Sequence, residues 1–174
     1  LFPYTTLSDL RAAFCAEFGL PADALVAGVV AQLIPRKGHR YLLAALPELL
    51  RRHPKLQVLI FGQGPLEAEL RAEVEAGGLS GAVRFTGFRH DLPRWLGGLD
   101  LLIHPADMEG LGVSLLQASA AAVPIVASRA GGLPEAVLDG VTGILCPPAD
   151  EAALAAAIDR LAGADDGSGR SNRI

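Results

Sequence analysis

Cysteine is scarce, and basic charge is not in excess. Cys15 and Cys146 are the only thiols in the 174-residue chain. Neither has metal-ligand spacing around it, which excludes a disulfide framework and a zinc module. Both are expected as reduced thiols in a cytoplasmic protein. Lysine and arginine total 15 against 19 acidic residues, a formal net charge of −4. That balance argues against a nucleic-acid binder of the simple basic kind. No apolar run approaches the length of a membrane span, and no secretory leader is visible at the start. Two common nucleotide fingerprints are missing as well. The first apolar run ends in Gln32-Leu33-Ile34-Pro35-Arg36-Lys37-Gly38 rather than G-x-G-x-x-G, and no G-x-x-x-x-G-K-[ST] occurs. A later Gly62-Gln63-Gly64 turn has Glu67 where a third glycine should stand. Ordinary dinucleotide and P-loop folds are thereby set aside.

What is present is a globular composition, 51% hydrophobic and 20% charged, long enough for one domain with a proper core. Ser8–Phe18 has helical spacing, with Ser8 as its cap and Gly19 and Pro21 closing it. Leu25–Ile34 is a valine-rich apolar run that reads as a strand buried on both faces. His39–Arg52 carries Leu42, Leu43, Leu46, Leu49 and Leu50 on one stripe, an amphipathic helix. The unit then repeats. Leu56–Phe61, Val83–Gly87, Asp100–His104, Ile125–Ser128 and Gly143–Cys146 read as strands. Helices follow: one from Pro65 to about Ala76, Asp91–Leu99 with Asp91 as cap and Trp95 inward, and one to about Ala121. A short helix through Leu138 and Asp150–Leu161 complete the set. About six alternations with short turns specify an α/β fold in three layers, a Rossmann-like, mostly parallel six-stranded sheet with helices on both faces. The domain is expected over residues 8–162. Leu1–Leu7 fits no pattern, resembles a translated sequencing adapter, and is expected to be a non-native leader. Gly163–Ile174 is expected to be a disordered tail.

Four turns fall at strand carboxyl ends: Gln32–Gly38, Gly62–Pro65, Glu109–Gly112 and Gly131–Pro134. Ligands of such sheets bind on that rim, where strand order reverses. The stretch Glu109–Gln117, EGLGVSLLQ, is the most informative. An apolar strand, a glycine-bearing turn and a helix N-terminus present bare backbone N–H groups to a phosphate. Glu109, just outside the helix, suits hydroxyls on whatever the phosphate carries. Gln117, seven residues past Gly110, falls on the same helical face. Taken singly, Glu109 could merely complement the helix dipole, worth about 0.3–1 kcal/mol, and Lys37 could be a solvated charge beside Arg36, His39 and Arg40. His104, before Pro105, reads as a packed side chain, and Trp95, Phe85 and Phe88 as core. Asp165-Asp166 lacks the buried setting of a metal site.

Over roughly Leu25 to Leu161 the motifs resemble, in order and spacing, the carboxy-terminal domain of the retaining glycosyltransferases of family four (group 1), with the GT-B fold. The carriers are Leu33–Gly38, Phe61–Pro65, His104-Pro105 with Glu109–Gly112, Pro124–Ser128, Gly131–Glu135, and Asp139-Gly140 with Gly143. The resemblance implies the donor-binding half of an enzyme that transfers a hexosyl group from a UDP or GDP sugar, with retention. Lys37 and Glu109 would be catalytic, Lys37 neutralising the diphosphate and Glu109 binding sugar hydroxyls. Backbone N–H groups of Gly110, Leu111 and Gly112 would cradle the phosphates, and Gln32, Gly62, Gly64 and Val113 would also belong to the donor site. Gln117 would take the ribose hydroxyls, and Phe88 and Arg89 would lie near the base. The resemblance further implies no metal and no cofactor beyond the donor, and a role in cell-envelope polysaccharide synthesis. The missing amino-terminal acceptor half would be the partner and would mediate any peripheral membrane contact. The isolated domain is expected to be inactive.

Three positions depart from the family pattern. Gln32 replaces an arginine, Gln117 replaces the second glutamate of E-x7-E, and Ala122 replaces a helix-ending glycine. The two glutamines leave open a non-catalytic nucleotide-sugar-binding module, and the fold is shared by sugar-nucleotide epimerases. Gln32→Arg with Gln117→Glu is expected to tighten nucleoside-diphosphate binding in calorimetry. Unchanged affinity favours the non-catalytic module.

Overall fold

Six parallel strands and seven helices alternate in a computed structural model that describes residues 6–163. The expected leader and tail fall largely outside those residues. Helix α1 (Leu7–Phe18) starts one residue early, and its cap is Thr6, whose side chain accepts from Asp9 N–H at 3.1 Å. Ser8, the expected cap, lies inside the helix. Strand β1 (Leu25–Val30) is shorter than its apolar run, because the chain turns at Ala31. Next come α2 (His39–Arg52), β2 (Leu56–Phe61), α3 (Glu67–Ala76) and β3 (Val83–Gly87). Pro65 precedes α3 by two residues instead of opening it. Then follow α4 (Leu92–Trp95), β4 (Leu101–His104), α5 (Val113–Ala120), β5 (Ile125–Ser128), α6 (Leu133–Ala136), β6 (Gly143–Cys146) and α7 (Glu151–Ala162). Asp91 does not cap α4 with its side chain; its carboxylate takes Arg89 and the Trp95 indole N–H instead.

Strand order is β3-β2-β1-β4-β5-β6, with every pairing parallel. Alternation within each strand divides the core. Val26, Leu59, Leu102 and Ile125 face one side, packed with Phe14, Trp95 and Leu115 from α1, α4 and α5. Ala27, Val58, Ile60 and Ile103 face the other, against Leu46 of α2, Val74 of α3 and Ile158 of α7. Period-two side chains buried on both faces explain why the strands read as unbroken apolar runs. Cys15 and Cys146 are free and buried in opposite layers, so no bond can join them. No described helix is long and apolar enough to cross a membrane.

Three helices end in the same hydrogen-bonded cap. After α1, Leu20 N–H reaches Cys15 C=O around left-handed Gly19; after α3, Leu79 N–H reaches Val74 C=O around Gly78. After α5, Val123 N–H reaches Ala118 C=O at 2.9 Å and Ala122 N–H reaches Ser119 C=O at 3.0 Å. Here the left-handed residue is Ala122, with φ of 55°. A Cβ in that region costs about 1–2 kcal/mol, and only glycine avoids it. Ala122 is exposed, so replacement opens no cavity. Ala122→Gly is expected to stabilise the domain by about 0.5–1 kcal/mol, a Tm rise of about 2–4 °C per kcal/mol in thermal denaturation. A lower Tm would refute the strain.

Candidate functional site

Strand order reverses between β1 and β4: from β1 the chain moves toward β3, and from β4 toward β6. Their exit turns therefore diverge from adjacent strands and leave a crevice at the carboxyl rim. After β1, a 3-10 turn at Pro35–Lys37 ends on Gly38, with φ of 69°. A Cβ there would lie 1.9 Å from Pro105 C=O. Only glycine lets this turn press onto the exit of β4. Asp107 N–H then donates to Arg36 C=O at 2.9 Å, tying the two turns together. On the far side, a Cβ at Gly131 would meet Glu109 C=O at 2.0 Å, and Gly132 N–H donates to that carbonyl. The Glu109 loop is thus clamped between its neighbours on both sides.

The clamp brings Lys37 to Glu109, 72 residues apart, in a direct ion pair. Lys37 is only 8% exposed and the Glu109 side chain 14%. The second contact to the same carboxylate comes from His104, whose Nε2 lies 2.9 Å from Oε2. Gly110 N–H donates to Oε1 at 3.0 Å. Desolvation pushes the Glu109 carboxyl up, yet the bonds from Lys37, His104 and Gly110 outweigh it and leave the pKa at about 2. His104, 2% exposed, is more than a packed side chain, since it holds Glu109. Spacing in the chain could not reveal that, because its neighbours on β4 are apolar core residues.

Gly110, Leu111 and Gly112 precede α5, whose first residue is Val113; Gly112 is left-handed, with φ of 67°. Gly110 therefore lies outside the helix, and the helical face expected to link it to Gln117 begins only at Val113. Leu111, Val113 and Gln117 are exposed on this rim. Gln32 is exposed at the end of β1. Gly62 and Gly64 matter for packing, because a Cβ on either would strike the carbonyls of Ala31 and Leu33. They let the β2 turn lie against the β1 turn. Phe88 is not core but 60% exposed, one residue past β3, with its ring edge-on to His90. Arg89 is committed to Glu17 and Asp91 at 2.7 Å each. Its carbonyl accepts from Leu92 N–H at 3.4 Å.

His39, the first residue of α2, expected with Lys37 on a solvated surface, is buried, as Lys37 is. It is 3% exposed, and among the described residues neither ring nitrogen has a hydrogen-bond partner. Desolvation first, then repulsion from His104 and Lys37, lowers its pKa from 6.5 to about 4. The unfolded chain accordingly takes up this proton at a higher pH than the fold does. Stability falls with pH between 6.5 and about 4, and burial lowers the His104 pKa in the same sense. Below 4.5, protonation of Glu109 adds to the loss. His39→Leu is expected to flatten the Tm profile between pH 6.5 and about 4. An unchanged slope would show that His39 does not carry it.

Residues 24–164 match the family described as glycosyl transferases group 1. Among curated relatives is the GDP-mannose-dependent alpha-(1-6)-phosphatidylinositol monomannoside mannosyltransferase of Mycolicibacterium smegmatis. It is 39% identical over 162 residues, which cover 88% of this chain and 42% of that protein. The glycogen synthase of Mycobacterium tuberculosis is 38% identical over 140 residues, 79% of this chain and 33% of that one. The chain thus spans less than half the length of these relatives. HepE of Anabaena, solved in complex with UDP and glucose, superposes with a TM-score of 0.82 at 29% identity, over 95% of this chain and 45% of that one. The carboxy-terminal domain of LpcC from Francisella tularensis gives 0.78 at 24% identity, over 97% and 87%, a likeness of fold. The sheet order, the clamped rim and a family match spanning most of the chain lead to one conclusion: this chain belongs to the group 1 glycosyltransferases.

Proposed function

We propose that this chain is the donor-binding half of a retaining glycosyltransferase that uses a nucleoside-diphosphate sugar. The observation that carries the reading is the convergence of Lys37 and Glu109 from turns on either side of the switch point. A cation and an acceptor carboxylate in contact, beside the backbone N–H groups of Leu111 and Gly112, match a diphosphate joined to a polyol. Lys37 neutralises the diphosphate as a compact point charge. The α5 N-terminus adds backbone N–H donors and a positive dipole end. Glu109 accepts from sugar hydroxyls, and Gln117, exposed on α5, meets the ribose through an amide that both donates and accepts. The Phe88-Arg89 backbone borders the base. UDP and GDP donors are the candidates, because relatives act from GDP-mannose and HepE is bound to UDP.

In the transfer, the bond from the anomeric carbon to the phosphate oxygen breaks as charge accumulates on the leaving diphosphate. The acceptor oxygen bonds to that carbon on the same face, and its proton passes to the departing phosphate. Lys37 and the backbone donors stabilise the developing charge, the largest contribution such a site makes. They do so without a divalent cation. The acceptor site belongs to the other half of the enzyme, which makes the isolated chain a binder without turnover. Cytoplasmic cell-envelope glycan assembly is the setting we propose.

Calorimetry against UDP, GDP, UDP-glucose and GDP-mannose is expected to show weak binding of one base, unchanged by EDTA. Lys37→Ala should weaken it about tenfold or more, the loss of one charge-assisted contact. Glycosyl transfer by this chain alone, or binding indifferent to Lys37, would contradict the reading.

A further inference from the structure

We propose that His104 is the positioning residue for Glu109, holding its carboxylate in place after an arriving donor draws Lys37 away. The proposal rests on the donor-site reading above. Three donors meet on that carboxylate. Lys37 and His104 Nε2 share Oε2, the latter at 2.9 Å, and Gly110 N–H takes Oε1 at 3.0 Å. A carboxylate offers about four acceptor directions, so one remains, on Oε1, for a ligand hydroxyl. The ammonium of Lys37, however, is engaged with Glu109 while a diphosphate would need it. Donor binding is therefore an exchange of partners, in which Lys37 turns to the phosphates and Oε2 loses one of two anchors.

His104 is the anchor for which no ligand competes. Its ring is buried at the end of β4, and its backbone is in register with Ala127 of β5. An ionised carboxylate only accepts, so Nε2 carries the ring hydrogen. Burial, opposed by the bond and charge of Glu109, lowers the His104 pKa and keeps the ring neutral. Nδ1, without a partner among the described residues, is then a bare acceptor. The result is a fixed N–H donor that steers Glu109 without adding a cation to compete for the diphosphate. Gly110 N–H alone would hold Oε1 while leaving Oε2 free to swing.

The test compares a nucleoside diphosphate with its sugar-bearing form, using the 174-residue chain and calorimetry with UDP and UDP-glucose, and with GDP and GDP-mannose. His104→Leu is expected to weaken the sugar-bearing ligand about tenfold and the bare diphosphate by no more than about twofold. His104→Gln places an amide N–H near the original Nε2 and should restore the sugar increment. His104→Asn, whose amide falls near Nδ1, should not. Equal losses for both ligands, or Gln and Asn variants that behave alike, overturn the proposal. So does a wild type that binds both ligands of a pair equally. Where the Leu variant fails to fold, the Gln–Asn comparison decides. If the wild type binds none of the four ligands, the donor-site reading itself fails. If Glu109→Ala abolishes the sugar increment while His104→Leu keeps it, that reading stands and the role of His104 falls.

Discussion

The contact between Lys37 and Glu109 is the constraint around which this rim is arranged. Burying two opposite charges is costly, and their attraction offsets the cost only when further hydrogen bonds complete the shell. Here His104 and Gly110 complete it on the carboxylate side. The geometry depends on two close approaches of backbone to backbone, Gly38 onto Pro105 and Gly131 onto Glu109. Both lie where a side chain would force the turns apart. A larger residue at either position would break the ion pair without touching it.

The rigidity behind this arrangement comes from the sheet. β1 and β4 are central strands, paired on both edges and covered on both faces. Their ends cannot shift without disturbing two buried layers packed at near-crystalline density. The groups that would meet a ligand, by contrast, sit just beyond the strand ends, on turns and on the exposed side of α5. A stiff scaffold thus carries a short, adaptable rim, the division of labour common to open α/β sheets.

Departures from the family pattern gain physical content from their places. Gln32, just past β1, and Gln117, on α5, are both exposed, so neither exchange disturbs the buried core. Both alter what the rim offers a ligand and leave the fold alone. Ala122 is different, because the left-handed cap demands glycine and the sequence supplies alanine. The Schellman hydrogen bonds form regardless, with strain stored at one exposed residue.

Hydrophobic periodicity alone specified the alternating strands and helices, the parallel sheet and its coverage on both faces, because burial on two faces writes itself as unbroken apolar runs. The glycine-bearing turns were likewise legible at strand ends, since backbone shape is a local property. Finer points escaped: the true caps, the early end of β1, and the exposure of Phe88, which lies where the chain leaves the sheet. Other features were decided only in three dimensions. Strand order placed β1 beside β4, and that adjacency joined Lys37 to Glu109 across 72 residues. It also gave His104 its partner and left His39 buried without a hydrogen-bond partner among the described residues. Such pairings depend on which strands become neighbours, and no local pattern encodes a contact whose two halves lie in separate repeats of the same strand–turn–helix unit.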